Sequence, residues 1–232
     1  MVAIERPDFI IIGDDFVRKN RRADGSVGLV LGRADKYNKR IVVYKYAIDE
    51  NITLLNSEEI EKLAKRISLI DEQVVIAHEA QHIHNGAIGY NSVAVADNIY
   101  ESMMLALADE MSAMLAGFLK KNKDVDLAFE EMLNHLSGEV RQSYIRGQFL
   151  SSFKRLQQIH GNSKKLYKHK FDLNKISNVL KFYFTIDGSV IMNKISQQSK
   201  LKFANFMVSV KADIKKCIGQ QIALSKINQK EL

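Results

Sequence analysis

The chain has 232 residues, 46 % hydrophobic and 26 % charged, which excludes a disordered or fibrous protein and suits a chain that buries its own core. A single cysteine, Cys217, excludes an internal disulfide. The net charge of +7 is uneven, with 16 Lys+Arg against 23 Asp+Glu in residues 1–140 and 18 against 4 in residues 141–232. A basic second half suits an anionic partner (nucleic acid, an acidic lipid surface or an acidic protein) or plain solvated lysines resting on the acidic first half.

The start, "MVAIERPDFIIIG", carries Glu5 and Asp8 where a signal peptide has a basic segment and a long apolar run. Apolar runs fall short of the roughly 20 residues that cross a bilayer. A cytoplasmic protein without a transmembrane segment is the expectation, with non-classical export left open. The terminal "QKEL" reads as chance likeness to a retrieval signal.

The first third reads as β-rich. "PDFIIIGDDFV" offers one strand, and "GSVGLVLGRADKYNKRIVVYKYAI" two β-branched runs around the loop "RADKYNK". Asp24 and Gly25 mark an earlier turn. "NSEEIEKLAKRISLI" has helical apolar spacing after Ser57, a suitable N-cap. A helix is expected from Asp71 to about Asn85, with acids at its start and Gly86 as its stop. After the connector "GAIGYNSVAVA", a long buried helix is expected over Asp97 to Leu119, then helices in "VDLAFEEMLNHL" and "EVRQSYIRGQFLSSFKRLQQIHG". "KFYFTIDGSVIMNKI" has strand composition on both sides of Asp187 and Gly188, a hairpin signal, and a closing helix follows from Ser199. The fold class expected is α+β: a small antiparallel or mixed N-terminal sheet, a mostly helical core, and a helical C-terminal part containing a β-hairpin. The charge break suggests a domain over 1–140 and a basic, mainly helical subdomain over 141–232 packed on it.

Within the expected helix at Asp71 lies "VVIAHEAQHIHNG". Residues four apart on a helix share one face, so His78 and His82 aim their imidazoles at a common point, as a zinc ion requires of two ligands. Glu79, beside the first of them, suits a general base that takes a proton from a metal-activated water. His84 faces elsewhere, toward the surface or a ligand's outer contacts.

A third ligand is needed. Glu110 has Met103, Ala106, Leu107, Ala113, Met114 and Gly117 around it at helical spacing. A carboxylate in such a stripe costs several kcal/mol unless paired or bound to a cation. Glu110 is therefore the favoured third ligand, with Glu101, Asp109 and Asp97 as alternatives. Asp109 also suits an acceptor for a ligand histidine N–H. Two imidazoles and one carboxylate leave a fourth zinc position for water.

"AHEAQH" followed 28 positions later by Glu110 in "ADEMSAML" resembles the gluzincin branch of the HExxH zinc metallopeptidases. The resemblance covers about residues 28–119 and implies a zincin-like core, Zn2+ on His78, His82 and Glu110, Glu79 as base, and a peptide or protein substrate. Met114 stands where many gluzincins carry a histidine-orienting aspartate, and Asn85 and Ile88 break the related metzincin pattern.

Oxyanion stabilisation would need a further donor, with Tyr90, Tyr100, His135, Arg141, Tyr144, Arg146 and His160 as candidates. Met103, Met104, Met111 and Met114 read as core filling, and Cys217 as an inert thiol. The expectation is a zinc metallohydrolase acting on peptide bonds, with a strand of the N-terminal sheet pairing with extended substrate. The alternative is a non-catalytic binding module whose basic half holds nucleic acid or an acidic partner, with a structural or vestigial metal site.

Overall fold

A computed structural model describes residues 10–21, 27–30, 32–35, 40–48, 72–87, 96–161 and 173–228. The expected helix at Ser57, the Asp24–Gly25 turn, the connector after Ala87 and the terminal QKEL lie outside them.

Four strands, β1 (Ile10–Arg21), β2 (Val27–Val30), β3 (Gly32–Asp35) and β4 (Arg40–Ile48), form a sheet in the order β2-β1-β4-β3. β1 pairs antiparallel with β2, from Arg18 opposite Val30 to Arg21 opposite Val27. It pairs parallel with β4, with an irregularity between Asp14 and Phe16. β3 pairs antiparallel with β4, Gly32 opposite Val43 and Asp35 opposite Arg40. The sheet is thus mixed, and β3 is an edge strand. The run from Gly28 to Gly32 splits into two short strands, and the expected loop "RADKYNK" begins as strand up to Asp35.

Helix α1 (Glu72–Ala87) lies on β3 and β4. Ala34 packs against its buried Val75, Ile76 and Ile83. The expected stop at Gly86 is not observed, because the helix continues to Ala87.

Helix α2 (Ile99–Lys121) forms the centre. Asn98 caps it, accepting from Glu101 N at 3.0 Å, while Glu101 Oε2 accepts from Asp97 N at 3.0 Å. This reciprocal pairing satisfies donors that have no intrahelical partner. Lys120 and Lys121 complement the negative C-terminal end. Met103, Leu105, Leu107, Met111, Ala113 and Leu115 are almost fully buried, each large side chain contributing about 1.5–3 kcal/mol of transfer free energy. By length and composition α2 could cross a membrane, yet 67 % of its most apolar window is buried inside the protein. It is the core helix of the bundle.

Around α2 pack α3 (Val125–His135), α4 (Gly138–His160), α5 (Leu173–Tyr183) and α6 (Gln197–Asn228). Asp124 caps α3 by accepting from Asp126 N and Leu127 N. Phe129, Phe184 and Phe203 join α3, the chain after α5, and α6 through ring contacts of 5.5–6.4 Å, a geometry favourable for aromatic pairs. One core cluster includes residues from Ala96 through Ile218. Met103, Met104 and Met111 belong to it and Met114 packs on it, as core filling requires.

The C-terminal hairpin exists but is short: β5 (Thr185–Ile186) pairs with β6 (Ser189–Val190). Asp187 and Gly188 both have positive φ, 48° and 72°, the backbone that a tight two-residue hairpin turn needs. The strand expected before the turn is instead the end of α5, where Val179 and Tyr183, four apart, are buried on one face. After it, Ile191–Asn193 form a 3-10 turn.

Candidate metal centre

α1 and α2 run antiparallel, Val74 meeting Gly117 at one end and Asn85 meeting Asp109 at the other. Gly117 makes the approach close. A Cβ there would sit 3.2 Å from both Val74 O and Val74 Cγ1, and 3.8 Å from His78 Cβ. Only a residue without a side chain lets the two backbones meet without displacement.

That approach brings His78, His82 and Glu110 together, their ligating atoms all within 4.8 Å of one another. Nε2 of His78 and Nε2 of His82 are 3.2 Å apart. Oε1 of Glu110 stands 3.7 Å from His78 Nε2, and Oε2 stands 3.6 Å from His82 Nε2. Two donors each about 2.0–2.1 Å from a tetrahedral zinc are about 3.3–3.4 Å apart. The imidazole–imidazole spacing is close to that value, while the two carboxylate spacings run to different oxygens of Glu110, so a bound ion would draw the carboxylate inward. The side chains of His78 and Glu110 are 24 % and 20 % exposed, so one side of the cluster remains open.

The remaining acids weighed as ligands have other places. Glu101 caps the start of α2, and Asp97 lies exposed just before it. Asp109 Oδ2 lies 3.2 Å from the buried Nδ1 of His82. Such a carboxylate favours the proton on Nδ1 and leaves Nε2 free for a metal.

Electrostatics separates the two histidines. Burial lowers His78 from 6.5 to about 4, against the pull of Glu110. Burial also disfavours charge on His82, but the contacts and charges of Asp109 and Glu110 outweigh it and raise His82 to about 10. For Glu110, burial pushes upward, but His82 and His78 hold the carboxyl below its usual range. Burial thus favours neutral His78, while the contacts of Asp109 and Glu110 favour the proton on His82. A divalent cation with two neutral imidazoles satisfies the same acids.

Glu79 is buried on α1 beside His78. Nε2 of His84 is enclosed without a hydrogen-bond partner among the described residues, and burial lowers that ring's pKa.

The expected oxyanion donors scatter. Arg141 Nη2 pairs with Asp213 of α6 at 2.7 Å and its guanidinium covers Phe206, so it is a packing ion pair. Arg146 lines a cavity of about 70 Å³ between α4 and α6 with Lys216 and Cys217. Cys217 is buried, which raises its thiol against the pull of Arg146. Tyr100 is buried in the first turn of α2. Tyr144 donates to Ala106 O at 3.3 Å, its phenol kept protonated by burial and by the charges of Glu110 and Asp109. His135, in the last turn of α3 and edge-on to Phe118, is close enough for its charge to lower His78. Tyr90 and the side chain of His160 lie outside the described residues.

Four residues near the centre escaped the sequence reading. Asn85 Nδ2 donates to Asp109 Oδ1 at 2.6 Å and to Ser112 Oγ at 2.8 Å. Gln81 Nε2 donates to Asn85 Oδ1 at 3.1 Å and to the carbonyls of Tyr183 and Thr185 at 3.1 and 3.2 Å. Tyr183 itself is buried, its phenol raised by burial and the charge of Asp109. The available signal was Asn85 at i+7 from His78 and i+3 from His82, a polar residue continuing the ligand stripe. No protein-family model matches the chain, and neither a curated protein nor a solved structure matches it.

Proposed function

We propose that the protein is a zinc-dependent metallohydrolase of the zincin type, cleaving peptide bonds. His78, His82 and Glu110 would hold Zn2+, and Glu79 would be the general base. The observation that carries the proposal is the convergence of His78, His82 and Glu110 from two adjacent helices, one ligating atom from each lying within 4.8 Å of the others. Zinc bound there supplies a Lewis acid that lowers the pKa of a coordinated water to about 7.

The chain's own groups do the rest. Asp109 holds His82 in the tautomer with Nε2 free. Glu79, beside His78 on α1, would be the group to accept a proton from the attacking water and to return it to the departing amine. The strand β3, at the edge of the sheet among the described residues and packed against α1, would pair with an extended peptide. The basic residues after 140 would attract an acidic substrate or partner, a rate effect that fades with salt.

Turnover of a mixed peptide library by the zinc-loaded protein tests the proposal, with Glu79→Gln beside it. Expected is cleavage that falls about 10²- to 10⁴-fold in the variant while zinc stays bound. No cleavage in either protein under zinc saturation would instead favour a binding module with a structural metal site, and equal cleavage in both would overturn Glu79 as the base.

A further inference from the structure

The centre is tied to the C-terminal half by a one-way chain of buried amides. Gln81 is 6 % exposed, Asn85 1 % and Ser112 0 %. Gln81 has two N–H bonds for three acceptors, Asn85 Oδ1 and the carbonyls of Tyr183 and Thr185, so one hydrogen is shared. Reversing its amide would face an oxygen with three oxygens. Asn85 is fixed in turn, because its Oδ1 receives Gln81 and its Nδ2 donates to Asp109 Oδ1 at 2.6 Å and Ser112 Oγ at 2.8 Å. Reversed, its carbonyl would lie against a carboxylate. Ser112 Oγ donates onward to Asp109 O at 2.9 Å, so both the side chain and the backbone of Asp109 are held. The other carboxylate oxygen then has one place to go, beside Nδ1 of His82.

We infer that Gln81 and Asn85 are positioning residues for the metal centre. Anchored on the backbone of Tyr183 and Thr185, they fix Asp109 so that His82 presents Nε2 to the ion. Neither touches the ion, so they set its affinity and geometry from outside its coordination sphere. The inference rests on the zinc reading above and adds to it that residues after 180 take part in the centre. Asn85 stands on the ligand stripe of α1 and Gln81 one turn before it, which lets an amide pair take over the support of a histidine.

The test is zinc affinity by competition with a chromophoric chelator, with the visible absorption of the cobalt(II) form as a report on ligand geometry. Asn85→Ala and Gln81→Met, the latter close in shape and without a donor, are compared with the natural protein. Expected are zinc Kd values weaker by about 10- to 100-fold in Asn85→Ala and by about tenfold in Gln81→Met. The cobalt bands should move, with helix content unchanged. Should Asn85→Ala fail to fold, Gln81→Met decides by the same two readouts. Zinc Kd within twofold of the natural protein and unmoved cobalt bands would overturn the inference, even if the melting temperature falls. Failure of the natural protein itself to take up zinc would be a different result, ending the zinc reading beneath it.

Discussion

Zinc binding should release one proton at pH 6, below the pKa of about 7 of water on the metal. In the metal-free protein His82 is protonated up to about pH 10, while His78 is already neutral above about pH 4. Burial pushes the Glu110 carboxyl up, but His82 and His78 hold it below the ordinary value of 4.5. A metal ion needs both imidazoles unprotonated, so it displaces the proton on His82 and no other. The apparent Kd should then tighten ~10-fold per pH unit, ~100-fold from pH 6 to pH 8, or about 3 kcal/mol. The same proton governs stability without metal. His82 is raised, so its contribution is complete below the ordinary value of 6.5 and is lost as pH rises through about 10. His78 is lowered, so the unfolded chain takes a proton between 6.5 and about 4 that the folded chain refuses, and stability falls as pH drops through that window. The melting gap between zinc-loaded and metal-free protein should therefore widen from pH 6 to 8. Calorimetric titration in two buffers of different ionisation enthalpy counts the protons. At pH 6, where water on the metal stays mostly protonated, zero protons would mean that His82 does not give up its proton to the metal, and two would mean that burial does not keep His78 neutral; either refutes the electrostatic reasoning.

Gly117→Val should part the helices, since even a Cβ there meets Val74 O at 3.2 Å. Stability should drop by about 1–3 kcal/mol in denaturant unfolding and zinc affinity should weaken with it; unchanged zinc affinity would show that the helix spacing does not set the ligand spacing. Asp213→Ala leaves Arg141, 12 % exposed and paired at 2.7 Å, without its carboxylate. A loss of about 3 kcal/mol is expected, with zinc affinity unchanged, because this pair joins α4 to α6 rather than α1 to α2.

The parts of the centre legible in the sequence are those fixed by helix geometry alone. His78 and His82 share a face because they are four apart. Glu110 stands out because its neighbours Met103, Leu107 and Ala113 are core residues, and the structure brings it to the two imidazoles. Asn85 and Gln81 were illegible because their partners, Asp109, Tyr183 and Thr185, meet them only through tertiary packing. The aromatic "KFYF" suggests a strand by β propensity, yet Val179 and Tyr183 gain more by facing the core from a helix, and context overrides propensity there. Gly86 failed as a helix stop because a glycine inside a helix costs only about 1 kcal/mol, which packing of α1 on β3 and α2 outweighs.

Metal content and X-ray absorption of the zinc-equilibrated protein bear most directly on the centre. Expected is one zinc per chain with two imidazole nitrogens at about 2.0–2.1 Å and a carboxylate oxygen at about 2.0–2.2 Å, lost in His82→Ala and in Glu110→Ala. A chain that takes up no zinc, or that keeps a full equivalent in both variants, would contradict the centre described here.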